Sequence, residues 1–344
     1  MIALTEKIRA GSDLSAFDVQ EAVAFLLSES VEAKTKADFL TALHEKGESA
    51  SEIAAFVRVL LERAVSVDID GVEGPLLDVC GTGGDGIDLF NVSTAVTFVL
   101  AAGGATVVKH GNRRVTSRSG SADVLEALGV VIDLEPEDLR ECIARVGCGF
   151  VYARTYHPAF RAMAEMRLRL AREHQRTIFN LLGPLLNPAR PKRQLIGVFA
   201  PHLTKLFAEV LRQLDCEHAW IVSGTAVDTL TLDDVSTIGP TSVAELAHGK
   251  ITSAVLDTRW LGIEQATLPE LIGGDASENA KTITQILTGA ETGPKRDVVV
   301  VNAAAGFVVA GLANEMNVGI EMAREEIDSG RALEKLKALQ SYRP

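Results

Sequence analysis

Leu76–Thr94, LLDVCGTGGDGIDLFNVST, is the stretch whose reading decides the fold. The apolar run Pro75–Cys80 predicts a buried strand, and NVST (Asn91–Thr94) opens an apolar helix through AVTFVLAA. Between them lies GTGGDG (Gly81–Gly86). A glycine-rich turn from strand to helix leaves backbone N–H groups free for a ligand, and the positive end of the helix dipole favours an anion there. Gly81, Gly83, Gly84 and Gly86 allow positive φ and close backbone approach without a Cβ clash. The reading is a phosphate cradle. Two rivals are weaker. Gly81–Gly86 satisfies G-x-G-x-x-G, but a dinucleotide turn starts its helix inside the glycines, whereas NVST starts this one several residues later. Asp85 beside a pyrophosphate also needs a cation or a ribose hydroxyl between them, and a purely structural turn does not need four glycines.

Beyond this stretch, 344 residues suffice for a sizeable core and more than one domain. A net charge of −12 and a pI near 5.1 argue against bulk attraction to nucleic acid or an anionic membrane, while leaving room for a local basic site. The N-terminus MIALTEKIRAG has no apolar core of signal-peptide length, so the expected location is cytoplasmic. Two uncharged stretches, Phe90–Val108 and Val298–Asn314, read as buried α/β elements rather than membrane spans. The second is expected to split into a strand, VVVVN, and a helix. Cys80, Cys142, Cys148 and Cys216 lack C-x-x-C spacing and read as reduced, mostly buried thiols.

Residues 1–65 carry only helical signals. Ser15 is expected to cap FDVQEAVAFLLS, with Phe17, Val19, Val23 and Leu26 or Leu27 on the apolar face. A second helix covers residues 35–46, and Ser49-x-x-Glu52 forms a capping box for a third. From Leu76 strands and helices alternate: Thr106–Lys109, a helix SADVLEALG capped by Ser121, a helix PEDLRECIARVG, then strands GFVYA, LIGVFA, AWIVSG and VVVVNAA. Phe160–Glu173 reads as a basic helix and Ile178–Pro191 as a proline-punctuated apolar loop. The expected fold is α/β, a small N-terminal all-helical domain (1–70) plus a large α/β domain (71–344) with a central, mostly parallel sheet. Helices around 165–190 are candidates to complete the small domain, which is the expected dimerisation surface.

Lys109-His110-Gly111-Asn112-Arg113-Arg114 follows a strand on an otherwise acidic chain, and ligands in open α/β sheets bind at strand ends. TSRSGSAD (Thr116–Asp123) adds hydroxyls and glycines before a helix, a second anion-friendly turn. Two such turns suggest a ligand with two phosphate groups. Such a ligand usually arrives with Mg²⁺, which takes oxygen ligands, and Asp233-Asp234 offers two carboxylates in a loop bounded by Gly239-Pro240.

Taken together, DVCGTGGDG, NVST, KHGNR, SGSADVLEALG, YHPAF and RTIFNLLGPLLNPA, in this order and spacing, resemble the anthranilate phosphoribosyltransferase family over nearly the whole chain. Pyrimidine nucleoside phosphorylases share the fold that this resemblance implies, but their lysine motif differs from KHGNR. The resemblance implies a phosphoribosyl pyrophosphate site at Gly84, Asp85, Asn91, Ser93, Thr94, Lys109 and Ser121, with His110 and Ser117 among the substrate contacts. It also implies Mg²⁺ at Ser93, Asp233 and Asp234, and acceptor contacts at Gly81, Asn112 and Arg167, which lies ten residues after His157. Lys109 and the metal are expected to stabilise the leaving group.

Three positions depart from the family. The acidic pair is Asp-Asp rather than Asp-Glu, Leu89 replaces a common threonine, and the interval between Arg167 and RTIFN is about three residues longer. The implied reaction is phosphoribosyl transfer to the amine of anthranilate in tryptophan biosynthesis. Transfer to another aromatic acceptor, and a non-enzymatic nucleic-acid-binding paralogue, are the alternatives; the net charge argues against the latter.

Overall fold

The computed structural model describes residues 1–84, 86–114, 118–163, 166, 170 and 175–344, and of Arg161 the backbone only. Four helices lead: α1 (Ile2–Arg9), α2 (Ala16–Leu27), α3 (Ala33–Lys46) and α4 (Ala50–Leu61). Ser15 and Ser49 cap α2 and α4 through capping boxes with Asp18 and Glu52. The apolar face of α2 is Val19, Ala22, Val23 and Leu26, while Phe17 is 75% exposed, which corrects its expected place in the core. At about 100° per residue, Phe17 lies some 200° from Val19 and points the opposite way. Helix α1 has little signal in the sequence, being short and opening without a side-chain cap.

The large unit is built on β1 (Leu76–Gly81), β2 (Thr106–Gly111), β3 (Cys148–Tyr152), β4 (Arg193–Gly197), β5 (His218–Thr225), β6 (Thr231–Leu232), β7 (Thr241–Ala247) and β8 (Lys250–Leu256). Their order is β3-β2-β1-β4-β5-β7-β8, with β6 paired to β5. Strands β1 to β5 are mutually parallel, and β7 and β8 continue the sheet antiparallel. The β7–β8 hairpin is an addition to the expected strands. Its signal is period-two alternation either side of His248-Gly249, both with positive φ as a tight hairpin turn requires.

Chain order reverses between β1 and β4, where one connection departs toward β2 and β3 and the other toward β5. Such a switch point opens a crevice at the carboxyl ends of the strands. Here Gly81 pairs in register with Gly197. Helix α5 (Val92–Ala102) begins on this rim, and the loop from β5 to β7 returns to it. Leu77 and Val79 point into the core formed with α5 and the C-terminal helices. Cys80 points to the opposite core, shared with α1–α4 and with Met163, Met166, Leu170 and Ile178.

The segment expected as a strand at VVVVN is a helix, Pro294–Ala310. Its four valines, Val298–Val301, are fully buried, and it packs against α5, β1, β4 and β5. A helix buried on every side shows no polar face, so its apolar run imitates a buried strand. The discriminating signals are Pro294 at the first helical turn and Gly311, with φ of 75°, just past the last. All four cysteines are free, and burial pushes the thiols of Cys142, Cys148 and Cys216 up to about 12.

Candidate active site

The GTGGDG turn takes the backbone form its glycines permit: φ is 64° at Gly83, 76° at Gly84 and 75° at Gly86. Gly81 serves differently. A Cβ there would collide with the Asp233 carboxylate, and one on Gly197 would collide with the Asp233 backbone carbonyl. The two glycines at the switch point therefore let the Asp233-Asp234 loop sit directly on the ends of β1 and β4. The Asp233 carboxylate in turn accepts the Gly83 N–H at 2.7 Å. Two stretches 150 residues apart thus form one structure.

Asn91 precedes α5 but makes no side-chain cap. Its amide instead donates to the Ser119 carbonyl at 3.4 Å and accepts from Asn279 at 3.0 Å. Ser93, in the first turn, accepts the Lys109 ammonium at 2.9 Å. Lys109 is buried and also donates to the Val79 carbonyl at 2.7 Å. Burial pushes its ammonium below the usual lysine range, opposed chiefly by the charge of Asp78 and then by Asp234 and Asp233. Thr94 is fully buried, and its hydroxyl has no protein partner among the described residues. Ser93, Asp233, Asp234, Val79, Cys80 and Asn302 line one small cavity.

Beneath this rim lies a charged residue inside an apolar strand, Asp78. It accepts the His110 N–H at 3.1 Å and the Asn187 amide at 2.9 Å. Burial raises its carboxyl to about 6, with Lys109 and these donors pulling it back. The His110 ring sits 5.5 Å from His157, edge to face. His110 Nδ1 lies 3.1 Å from the Gly183 carbonyl, which can only accept, so Nδ1 carries the proton and Nε2 keeps its lone pair. Burial, then the neighbouring His157, lowers its pKa to about 3, keeping the ring neutral. Buried Nε2 has no partner among the described residues.

The second turn is organised otherwise. Helix α6 (Ser121–Ala127) is capped from Gly120, not from Ser121, which is its first helical residue. Asp123 reaches back to accept the N–H groups of Gly120 at 3.0 Å and Arg114 at 2.9 Å. Arg113 pairs with Asp123 and Glu126, so one of the cations of KHGNRR is already neutralised. Asn112 accepts the Arg113 N–H, and its carbonyl faces the Ser121 hydroxyl at 3.4 Å. Leu89 forms a bridge with Ile272 and packs on the core. Asp85, Ser117 and Arg167 lie outside the described residues, as do Arg169 and Arg172.

Gly81, Gly84, Asn91, Ser93, Thr94, Lys109, His110, Asn112, Ser121, Asp233 and Asp234 come from β1, α5, β2, α6 and the β6–β7 loop, elements that meet along the carboxyl rim of the sheet. Sequence reasoning assigns no role to Asp78, Asn187, Arg176, Asn279 or Asn302. Each is a polar residue where the local pattern is apolar or loop-like, as in LLDVC and VVVVN. Arg176 stacks 3.9 Å over Phe199 and donates to the Gly84 carbonyl at 3.1 Å.

A buried lysine and a serine hydroxyl beside paired carboxylates suit phosphate chemistry, and comparison with known proteins narrows it. Residues 2–64 match the helical bundle domain of a glycosyl transferase family, and residues 73–333 match that family's a/b domain. The chain is 43% identical over 337 residues to anthranilate phosphoribosyltransferase of Petrotoga mobilis, covering 98% of this chain and 95% of the relative. The Methanocorpusculum labreanum enzyme of that name is 44% identical over 334 residues, 97% of this chain and 95% of its own. Among solved structures, anthranilate phosphoribosyltransferase from Thermus thermophilus superposes with a TM-score of 0.88 at 38% identity, covering 98% of both chains. The Saccharomyces cerevisiae enzyme, in complex with PRPP and Mg, gives a TM-score of 0.86 at 26% identity over 98% of this chain and 96% of that one. With near-complete coverage at more than two-fifths identity, the chain belongs to the anthranilate phosphoribosyltransferase family.

Proposed function

We propose that the protein transfers the 5-phosphoribosyl group of phosphoribosyl pyrophosphate to the amine of anthranilate, releasing pyrophosphate, as a step of tryptophan biosynthesis. The observation that carries this reading is the seating of Asp233-Asp234 on the glycine cradle, with Ser93 and Lys109 beside it. The donor set fits Mg²⁺. Two carboxylates and a hydroxyl are hard oxygen ligands, and the nearby Cys80 keeps its proton because burial pushes its pKa well up. Among the described residues no three His, Cys, Asp or Glu side chains form a metal cluster. Mg²⁺ is commonly bound through one or two carboxylates together with substrate phosphates and water.

An aryl amine is already neutral near pH 7, so the reaction needs no strong general base. The difficulty is loss of pyrophosphate while positive charge grows on the ribose. Ser93, Asp233 and Asp234 would hold Mg²⁺, which when bound supplies charge to stabilise the departing pyrophosphate. Gly84, Asp85, Asn91, Thr94, Lys109, Ser117 and Ser121 bind the donor. Gly81, His110, Asn112 and Arg167 orient the acceptor, so that the amine stands in line with the breaking bond. The neutral His110, with its Nε2 lone pair buried and unspent, fits an acceptor that brings N–H groups.

The working unit is proposed to be a cytoplasmic homodimer joined through the helical domain, where Ile2 and Phe17 are exposed apolar side chains. Light scattering after size exclusion, with Phe17→Glu as the disrupting variant, tests the association. Among the described residues no helix is long and apolar enough to cross a membrane.

Product analysis with phosphoribosyl pyrophosphate and a panel of aromatic amines tests the reaction, alongside calorimetry of donor binding with and without Mg²⁺. The expected result is Mg²⁺-dependent donor binding and a product from anthranilate above all others. Arg167→Ala should weaken use of anthranilate roughly ten- to a hundred-fold, matching loss of a charged hydrogen bond of about 1.5–3 kcal/mol, with donor affinity retained. A preference for an uncharged amine in the wild type would give the acceptor site to another substrate. Duplex DNA binding with no heat from the diphosphate would remove the enzyme reading.

A further inference from the structure

The helix Pro294–Ala310 carries one polar side chain in its buried middle, Asn302, only 2% exposed. Its carboxamide grips the residue that follows the acidic pair. Oδ1 accepts the Val235 N–H at 2.8 Å, and Nδ2 donates to the Val235 carbonyl at 2.9 Å and to the Val298 carbonyl of its own helix at 2.8 Å. Both backbone groups of Val235, itself fully buried, are thus satisfied by one side chain 67 residues away. Asn302 also lines the cavity shared by Ser93, Asp233 and Asp234.

Few side chains can do this. A carboxylate lacks the donor, a leucine of similar volume lacks both, and a lysine would place a competing positive charge beside two carboxylates. A neutral amide fixes the backbone while leaving the local negative charge for a cation. On the opposite side, the loop is confined by Gly81 and Gly197, where any Cβ would strike Asp233. Beyond Val235, the Ser236 N–H donates to the Thr241 hydroxyl at 2.9 Å and its own hydroxyl donates to the Thr225 carbonyl at 2.6 Å. The acidic pair sits between these clamps, and Asn302 is the one supplied by a distant helix.

We infer that Asn302 is a positioning residue that presets the Asp233-Asp234 loop for a divalent cation, an assignment resting on the phosphoribosyl-transfer reading above. In this reading the metal site is made by the sheet rim and tuned by the helix Pro294–Ala310 behind it. The shorter reach of Asp-Asp makes the position of the backbone matter more, since no extra methylene can absorb a shift.

The test compares Asn302→Leu and Asn302→Ser with Val299→Ala, a buried change on the same helix that removes packing but no loop hydrogen bond. Mg²⁺ titrations, by activity and by calorimetry with the diphosphate donor present, give the half-saturating cation concentration, and thermal melting gives stability. Both Asn302 variants should need roughly tenfold more Mg²⁺, the lower end of what loss of a metal site's supporting contacts costs. Excess Mg²⁺ should restore most of kcat, and KM for the acceptor should stay within about twofold. Val299→Ala should lower the melting temperature with an unmoved Mg²⁺ midpoint. If the Leu variant fails to fold, Asn302→Ser carries the same comparison. An unchanged midpoint in a folded Asn302 variant, or an equal shift in Val299→Ala, overturns the inference. A wild-type protein that binds the donor without Mg²⁺ dependence overturns the functional reading instead.

Discussion

The two turns that follow β1 and β2 contain similar residues and are held together in different ways. In the first, three glycines hold positive φ, Asn91 makes no side-chain cap on α5, and the Gly83 N–H goes to a carboxylate from a loop 150 residues away. In the second, Asp123 lies within its own helix, and its carboxylate accepts the N–H groups of Gly120 and Arg114. Arg113 is likewise spent on Asp123 and Glu126. A carboxylate from the helix itself ties the second turn together as a structural joint, whereas the first turn takes its tie from a distant loop. Composition cannot separate the two; what separates them is where the carboxylate that holds each turn's backbone comes from.

Disturbing the first turn should cost catalysis. The largest effect is expected from Gly197→Ala, which adds one methyl where the Asp233 backbone must pass. Moving the acidic loop by about 1 Å should lower kcat/KM on the order of a hundredfold. Steady-state kinetics beside a thermal melt will separate misplacement from unfolding; full activity in a folded variant would show that the loop has slack. Next is the double change of Asp233 and Asp234 to Asn, which keeps shape while removing two charges. Activity should fall at least tenfold, about 1.4 kcal/mol or more in barrier, and added Mg²⁺ should partly restore it. An unaltered Mg²⁺ dependence would return the pair to an ordinary surface loop and leave the first turn without its cation.

The same contrast explains what can be read from the sequence. Glycines, a β1-to-α5 junction, the Ser15 cap and the Ser49 capping box are local chemistry, and the structure forms them as expected. The alternation of strands and helices implies a mostly parallel sheet, and Lys109 is recognisable as a cation at a strand end. What escapes a sequence reading is whatever depends on distant burial. VVVVN reads as a strand until it is known that every face of Pro294–Ala310 is covered. Asp78 looks like a break in an apolar strand until Asn187 and the His110 N–H are seen to hold it. That Gly81 and Gly197 serve Asp233 is invisible at any local window, because the three meet only through the strand order β1-β4. Motif resemblance locates the acidic pair; only the fold supplies the reason it sits there.

The smallest effect on catalysis, and the sharpest test of the contrast, lies in the second turn. If Asp123 is a joint, Asp123→Ala should leave the donor KM within about twofold while lowering stability by roughly 1–3 kcal/mol, the cost of stranding charged hydrogen bonds. Its pH dependence gives an independent check. Burial pushes the Asp123 carboxyl up, but the N–H groups of Arg114 and Gly120 and the Arg113 guanidinium together hold it below its ordinary value. A carboxyl depressed in the folded state stabilises the fold above its unfolded pKa, about 3.9, and that contribution disappears as pH falls through the folded value. The gap in melting temperature between wild type and Asp123→Ala should therefore be full near pH 6 and narrow as the pH drops below about 4. A gap that stays constant across that range would mean the carboxylate's charge contributes nothing to the joint. A large rise in donor KM with unchanged stability would make Asp123 itself a donor contact, and the distinction drawn from it would fall.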